Sequence, residues 1–166
     1  GDGASWDVPV HVIAGRPAVG RSKAGKRGIA VVKVRSPRML LTEGFLRELF
    51  DVFERHHTSV DVVSTSEVSV SVTIDGASQL EELLVHLRDL GDVAVERNRG
   101  IVALVGGGLS ESGDAMSKAL ACLGDARLHM LSLSATGINL TIILDGAEVP
   151  DAMRRLHAAF FDEERP

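Results

Sequence analysis

Two carboxylates, Asp61 and Glu67, stand in a run of valine, serine and threonine that reads SVDVVSTSEVSVSVTI over residues 59–74. An unpaired charge inside so apolar a stretch is costly to bury. Asp61 therefore needs a cation, either a Lys or Arg of the chain or a group from outside it. Other residues of reactive type are less promising. Gly106, Gly107 and Gly108 are not followed by Gly-Lys-Ser/Thr, so they read as a strand-to-helix turn and not as a phosphate loop. His56 and His57 are adjacent, and adjacent helical residues do not face the same way, so they read as solvent-facing histidines at a helix end. Cys122 is the single cysteine and lies in a helical pattern, MSKALACL, where an inert packed thiol is expected. The basic stretch 15–28 has no aromatic residues to stack on bases and reads as a linker. No nucleophile-base pair supports an enzyme of the chain's own.

The elements that must position Asp61 follow from periodicity. Val68, Val70, Val72 and Ile74 alternate with Ser69, Ser71 and Thr73, the pattern of a strand with one buried face. As one strand, residues 59–74 would span about 50 Å at roughly 3.3 Å per residue. A unit of about 70 residues has a radius of gyration of ~11 Å. The run must therefore fold back near residues 64–67, as two antiparallel strands. Before it, 29–34 (IAVVKV) reads as a buried strand, with a loop through Pro37. Thr42 is expected to N-cap a helix whose apolar face is Phe45, Leu46, Leu49, Phe50, Val52 and Phe53. After it come an Asp75-Gly76-Ala77 turn, a Ser78-x-x-Glu81 capping box, a leucine-rich helix and a strand at Val93 and Val95.

The order strand, helix, strand, strand, helix then begins again. Residues 101–105 (IVALV) form a strand, 112–123 a helix, Leu128 to Leu131 and 138–144 two more strands. Asp145-Gly146-Ala147 repeats the earlier turn 70 residues on, and Pro150 opens a last helix. The second copy lacks a fourth strand, which would leave an open edge. The expected repair is the segment 17–26, so that the first module interrupts the second. Residues 8–13 (VPVHVI) are a further short strand.

Composition bounds the function. At 45% hydrophobic and 25% charged residues the chain reads as an ordinary globular protein. A net charge of −5 argues against nucleic acid as a partner, and no apolar run is long enough for a membrane span. No secretory signal is evident, and the expected location is cytoplasmic.

Two βαββαβ modules of this size resemble paired ACT domains, ferredoxin-like α+β modules with helices on one face of an antiparallel sheet. The string Met39-Leu40…Gly44-Phe45-Leu46, then Ser59-Val60-Asp61, then TSEVSV over 65–70, resembles lysine-sensitive aspartate kinases, as do ALVG at 103–106 and LHAAFF at 156–161. The resemblance implies the regulatory part of such an enzyme, without its kinase domain. In that family ATP and magnesium serve the kinase domain, which phosphorylates the side-chain carboxylate of L-aspartate. The implied division is 1–16 as the end of the kinase domain and linker, 28–99 as the first ACT domain, and 17–27 with 100–163 as the second. The implied partners are L-lysine, a second copy of the chain and the kinase domain of the same polypeptide.

The implied effector site is Met39, Thr42, Gly44, Phe45, Leu46, Ser59, Val60, Asp61, Thr65, Ser66 and Glu67. Backbone N–H groups at 42–46 suit the ligand carboxylate at a helix N-terminus, and Gly44 permits close approach. Asp61 takes the distal ammonium, with Ser59 and the carbonyls of Met39 and Val60 accepting further donors. Thr65, Ser66 and Glu67 lie at or near the site, reaching across from a second subunit. Leu41 and Glu43 depart from the polar or basic residues expected there. Aligned on the repeat, His129 stands where Asp61 does and Arg127 where Ser59 does, so the second module is expected to pack without binding lysine. The rival readings are a dimerisation module with no ligand and a sensor of another amino acid, such as threonine.

Overall fold

A computed structural model describes residues 11–15, 28–75, 80–105, 113–135 and 139–162, and the structural statements below refer to these. The chain divides into two compact units, Pro17–Arg99 and Gly1–Arg16 with Gly100–Pro166.

In the first unit, β2 (Ile29–Arg35) is the central strand and β1 (His11–Gly15) belongs to the other unit. Runs of β-branched residues suit a strand covered on both sides, and five of the seven β2 residues are buried. A short helix, α1 (Arg38–Leu41), occupies what the Pro37 signal marked as loop. Then follow α2 (Phe45–Arg55), β3 (Val60–Thr65), β4 (Ser69–Ile74), α3 (Leu80–Arg88) and the long β5 (Asp92–Val105). β2 pairs antiparallel with β4 on one side and with the first half of β5 on the other, and β3 pairs with β4 as the edge strand. The predicted fold-back is present: β3 and β4 are joined through Ser66, whose N–H donates to the Ser69 carbonyl (2.8 Å). The apolar face of β2 and β4 (Val32, Val34, Val70, Val72, Ile74) packs against Phe45, Leu49 and Phe53 of α2 and Leu83, Leu84 and Leu87 of α3. Each such buried side chain contributes roughly 1.5–3 kcal/mol. The capping box at Ser78 lies outside the described residues.

The strand expected at Val93 and Val95 and the strand at 101–105 are one element, β5. Its register against β2 shifts between Ile29 and Val31, opposite Arg99 and Glu96. Asn98 sits there in the left-handed region, with φ 57. An Asx residue tolerates that conformation, so the chain takes up a bulge and continues as strand.

The second unit takes the latter half of β5, then α4 (Gly113–Leu123), β6 (Met130–Leu133), β7 (Asn139–Asp145) and α5 (Val149–His157), with Pro150 in the first turn of α5. A π-helical turn over Ala158–Asp162 follows. β5 neighbours β7, and β7 pairs antiparallel with β6, the edge. The core joins Val102, Leu104, Leu140, Ile142 and Leu144 to Ala119, Leu123, Ala152 and Leu156. Cys122 packs partly buried against it.

On its other side this half of β5 pairs antiparallel with β1, His11 opposite Val105 and Gly15 opposite Ile101. The sequence reading gave that closing place to 17–26 and assigned 8–13 to the end of a kinase domain. Residues 17–26 lie outside the described residues, and the strand found at the edge is β1. No helix among the described residues is long and apolar enough to cross a membrane.

Candidate functional site

The residues proposed from sequence fall into two groups at opposite ends of the β3–β4 hairpin. Arg35 at the end of β2 pairs with Ser69, and Thr65 pairs with Val70, so Thr65, Ser66 and Glu67 share the end of the sheet from which α1 departs. Ser36 N–H ties this end together by donating to the Val68 carbonyl (2.8 Å). Met39, partly buried, packs against the first core, and its N–H donates to Ser36 (3.1 Å). Ser59, Val60 and Asp61 lie at the other end, where Val60 pairs with Ile74.

Thr42 does not cap α2. It closes α1, its N–H donating to Arg38 (2.9 Å), and Gly44 is the N-cap residue, with φ 86 and ψ 0. Two helices meet within a few residues, and the chain needs a left-handed residue to turn between them, which glycine adopts without strain. No side chain caps α2, so its first N–H groups remain available to an anion. Phe45 is buried, which leaves it only a backbone contribution, while Leu46 is exposed.

Asp61 is exposed on the edge strand and not buried as its apolar neighbours implied. β3 has a helix-side face and an open side, and its register slips between Val60 and Val63. There the Val62 N–H donates to Oγ1 of the fully buried Thr73 (2.9 Å). Among the described residues no cation pairs with Asp61. Its carboxylate instead acts on a second one: Asp75, just past the end of β4, is held above the usual carboxylate range by burial first and by the charge of Asp61 second. Sequence reading treated Asp75 only as a turn residue. The signal that could have singled it out was its repetition as Asp145.

The second unit shows what stands at the matching place. Val63 pairs with Val72 and Leu131 with Ile142, so strand register matches Val63 to Leu131 and hence Asp61 to His129. The His129 side chain is 3% exposed, and its Nε2 lies 3.0 Å from Oδ1 of Asp145. A further pair escaped the sequence reading: His56 Nε2 and His86 Nδ1 lie 2.9 Å apart, linking the end of α2 to α3. His57, next in sequence, is exposed with φ 49.

No protein-family profile matches the chain. The chain is 31% identical over 150 residues, 84% of its length, to chloroplastic aspartokinase 3 of Arabidopsis thaliana. It is 30% identical over 154 residues, 88% of its length, to lysine-sensitive aspartokinase 3 of Escherichia coli. It spans 27% and 34% of these two proteins. Among solved structures it resembles a chain assigned as the C-terminal regulatory domain of aspartate kinase from Porphyromonas gingivalis, with TM-score 0.71 and 28% identity over 93% of this chain and 97% of that one. It also resembles E. coli aspartokinase III in complex with lysine and aspartate, with TM-score 0.73 and 27% identity over 95% of this chain and 35% of that one. With the two-unit antiparallel fold and its βαββ order, these matches show that the chain is homologous to the regulatory region of aspartokinases.

Proposed function

We propose that the chain is the lysine-sensing part of an aspartate kinase, and that L-lysine binding to the first module lowers the activity of a kinase domain outside this chain. The carrying observation is the likeness, over 95% of this chain, to a structure described as holding lysine. That kinase domain would transfer phosphate from ATP, with magnesium, to the side chain of L-aspartate. No residue of this chain is assigned to either cofactor.

The site residues proposed are Met39, Thr42, Gly44, Phe45, Leu46, Ser59, Val60, Asp61, Thr65, Ser66 and Glu67. The uncapped start of α2 suits the ligand carboxylate, and Asp61 suits the distal ammonium. Asp61 and Thr65 are four residues apart on one strand, about 13 Å at ~3.3 Å per residue, which one lysine does not span. Two copies pairing antiparallel through β3 would bring the Asp61 end of one strand to the Thr65 end of the other. We therefore read the site as shared by two chains. In the same reading the first module is inserted in the second, after β1 and before the second half of β5, which the pairing of β1 supports. Coupling is a population shift: lysine stabilises one arrangement of the dimer, and that arrangement disfavours the active kinase.

A melting scan of the chain against the twenty amino acids tests this. Lysine should stabilise most and threonine, which has no distal ammonium, little. No stabilisation by millimolar lysine would sink the proposal. A ligand-free dimerisation module is the second reading, favoured by the exposed apolar side chains on both edge strands, Val63 on β3 and Leu131 and Leu133 on β6.

A further inference from the structure

We infer that Asp75 is a second carboxylate of the effector site, and that with Asp61 it selects a ligand carrying a distal cation. This rests on the proposed lysine site and deepens it. Three observations converge. The two carboxylates are diagonal neighbours across the antiparallel pair, because Val60 pairs with Ile74 and Asp61 and Asp75 follow that pair in opposite directions, near enough for the charge of Asp61 to act on Asp75. The bulge opposite Thr73 leaves Asp61 on the open side of the edge strand. The second unit holds the same pair of positions in a completed form: Nε2 of His129, at the place of Asp61, contacts Oδ1 of Asp145, at the place of Asp75, across 3.0 Å.

The comparison identifies the missing partner. In the second unit a hydrogen-bond donor of the chain itself meets the aspartate. In the first unit the matching residue is another carboxylate, and among the described residues no cation lies against either. Burial disfavours the charged form of Asp75, and the charge of Asp61 adds to that. An incoming ammonium relieves both effects, since it has three donors and can serve two acceptors at once. A neutral side chain of equal length relieves neither. Asp75 is thus a specificity-determining residue, which separates lysine from apolar amino acids of the same size.

Calorimetry on the full chain with L-lysine and with L-norleucine, which lacks the ammonium, tests the inference. Asp75→Asn should weaken lysine about tenfold, the scale of one hydrogen bond to a charged group, and leave norleucine unchanged. Lysine affinity equal in wild type and Asp75→Asn, but lost in Asp61→Asn, would overturn the role of Asp75 while leaving the lysine site standing. No lysine binding by wild type would overturn both. A second variant does not depend on lysine titration of a weakened site. Asp61→His copies the second unit: it should raise the melting temperature without ligand and abolish stabilisation by lysine. Adding Asp75→Asn to it should cancel the gain. An Asp61→His variant that melts no higher than wild type would show that the two positions do not meet.

Discussion

The two units are built alike and differ at one pair of positions. Each sets a central strand between two neighbours, places a hairpin at its edge and covers one face with two helices. At the hairpin, the second unit joins a nearly buried His129 to Asp145, whereas the first sets Asp61 beside Asp75. The same backbone position thus accepts a donor or an acceptor. The fold does not require the carboxylate. The second unit meets its aspartate with His129, and among the described residues no cation pairs with Asp61 in the first.

Core truncation should have the largest effect and shows whether the comparison is between separable units. Phe53→Ala should lose about 4 kcal/mol in urea unfolding and Leu156→Ala about 3, as buried large-to-small changes do. Lysine stabilisation should vanish only with the former. Equal loss of the response in both variants would mean that the second unit contributes to the site. Next, His129→Asp makes the second unit like the first in a place with little water. It should lower stability by about 2 kcal/mol, the scale for removing one partner of a part-buried hydrogen bond. A change below ~1 kcal/mol would show that His129 and Asp145 are not coupled in solution.

Gly44→Ala should cost about 1 kcal/mol, because alanine must take up φ 86 although nothing lies within 4 Å of the added carbon. Loss of lysine affinity beyond that change would place the start of α2 in the site, and an unchanged melting temperature would contradict the left-handed turn. The smallest effect is a pH slope. The native-state pKa of Asp75 is raised above its ordinary 3.8. The folded chain then holds this proton where the unfolded chain has released it. The contribution to stability is therefore complete below about 3.8 and is lost as pH rises through the raised value. Asp75→Asn should remove that slope in lysine-free melting curves. Lysine, which favours the charged carboxylate, should bind more weakly as pH falls through the same range.

Much of the fold was legible. Alternation of valine with serine located the β4 strand, and helical spacing located α2, because in both the apolar period matches the element. The repeated Asp-Gly-Ala turn exposed the duplication. The misreadings have local causes. Thr42 has the residue type of an N-cap, but α1 ends on it, and Gly44 begins α2 instead. Asp61 read as buried because its neighbours are valines, yet an edge strand leaves one side open. Two strands read where β5 is one, since Asn98 and Gly100 resemble a turn until their pairing is known.

The residue types and their order determined the two modules, the hairpin and the presence of a carboxylate at Asp61. They could do so because strand and helix periods are local properties of the chain. Tertiary pairing decided which residues come near Asp61. Asp75 is 14 positions away and His129 is 68, and only the register of β3 on β4 and of β6 on β7 makes them neighbour and counterpart. Charge acts through space, so the chemistry of the hairpin becomes readable only when that register is fixed.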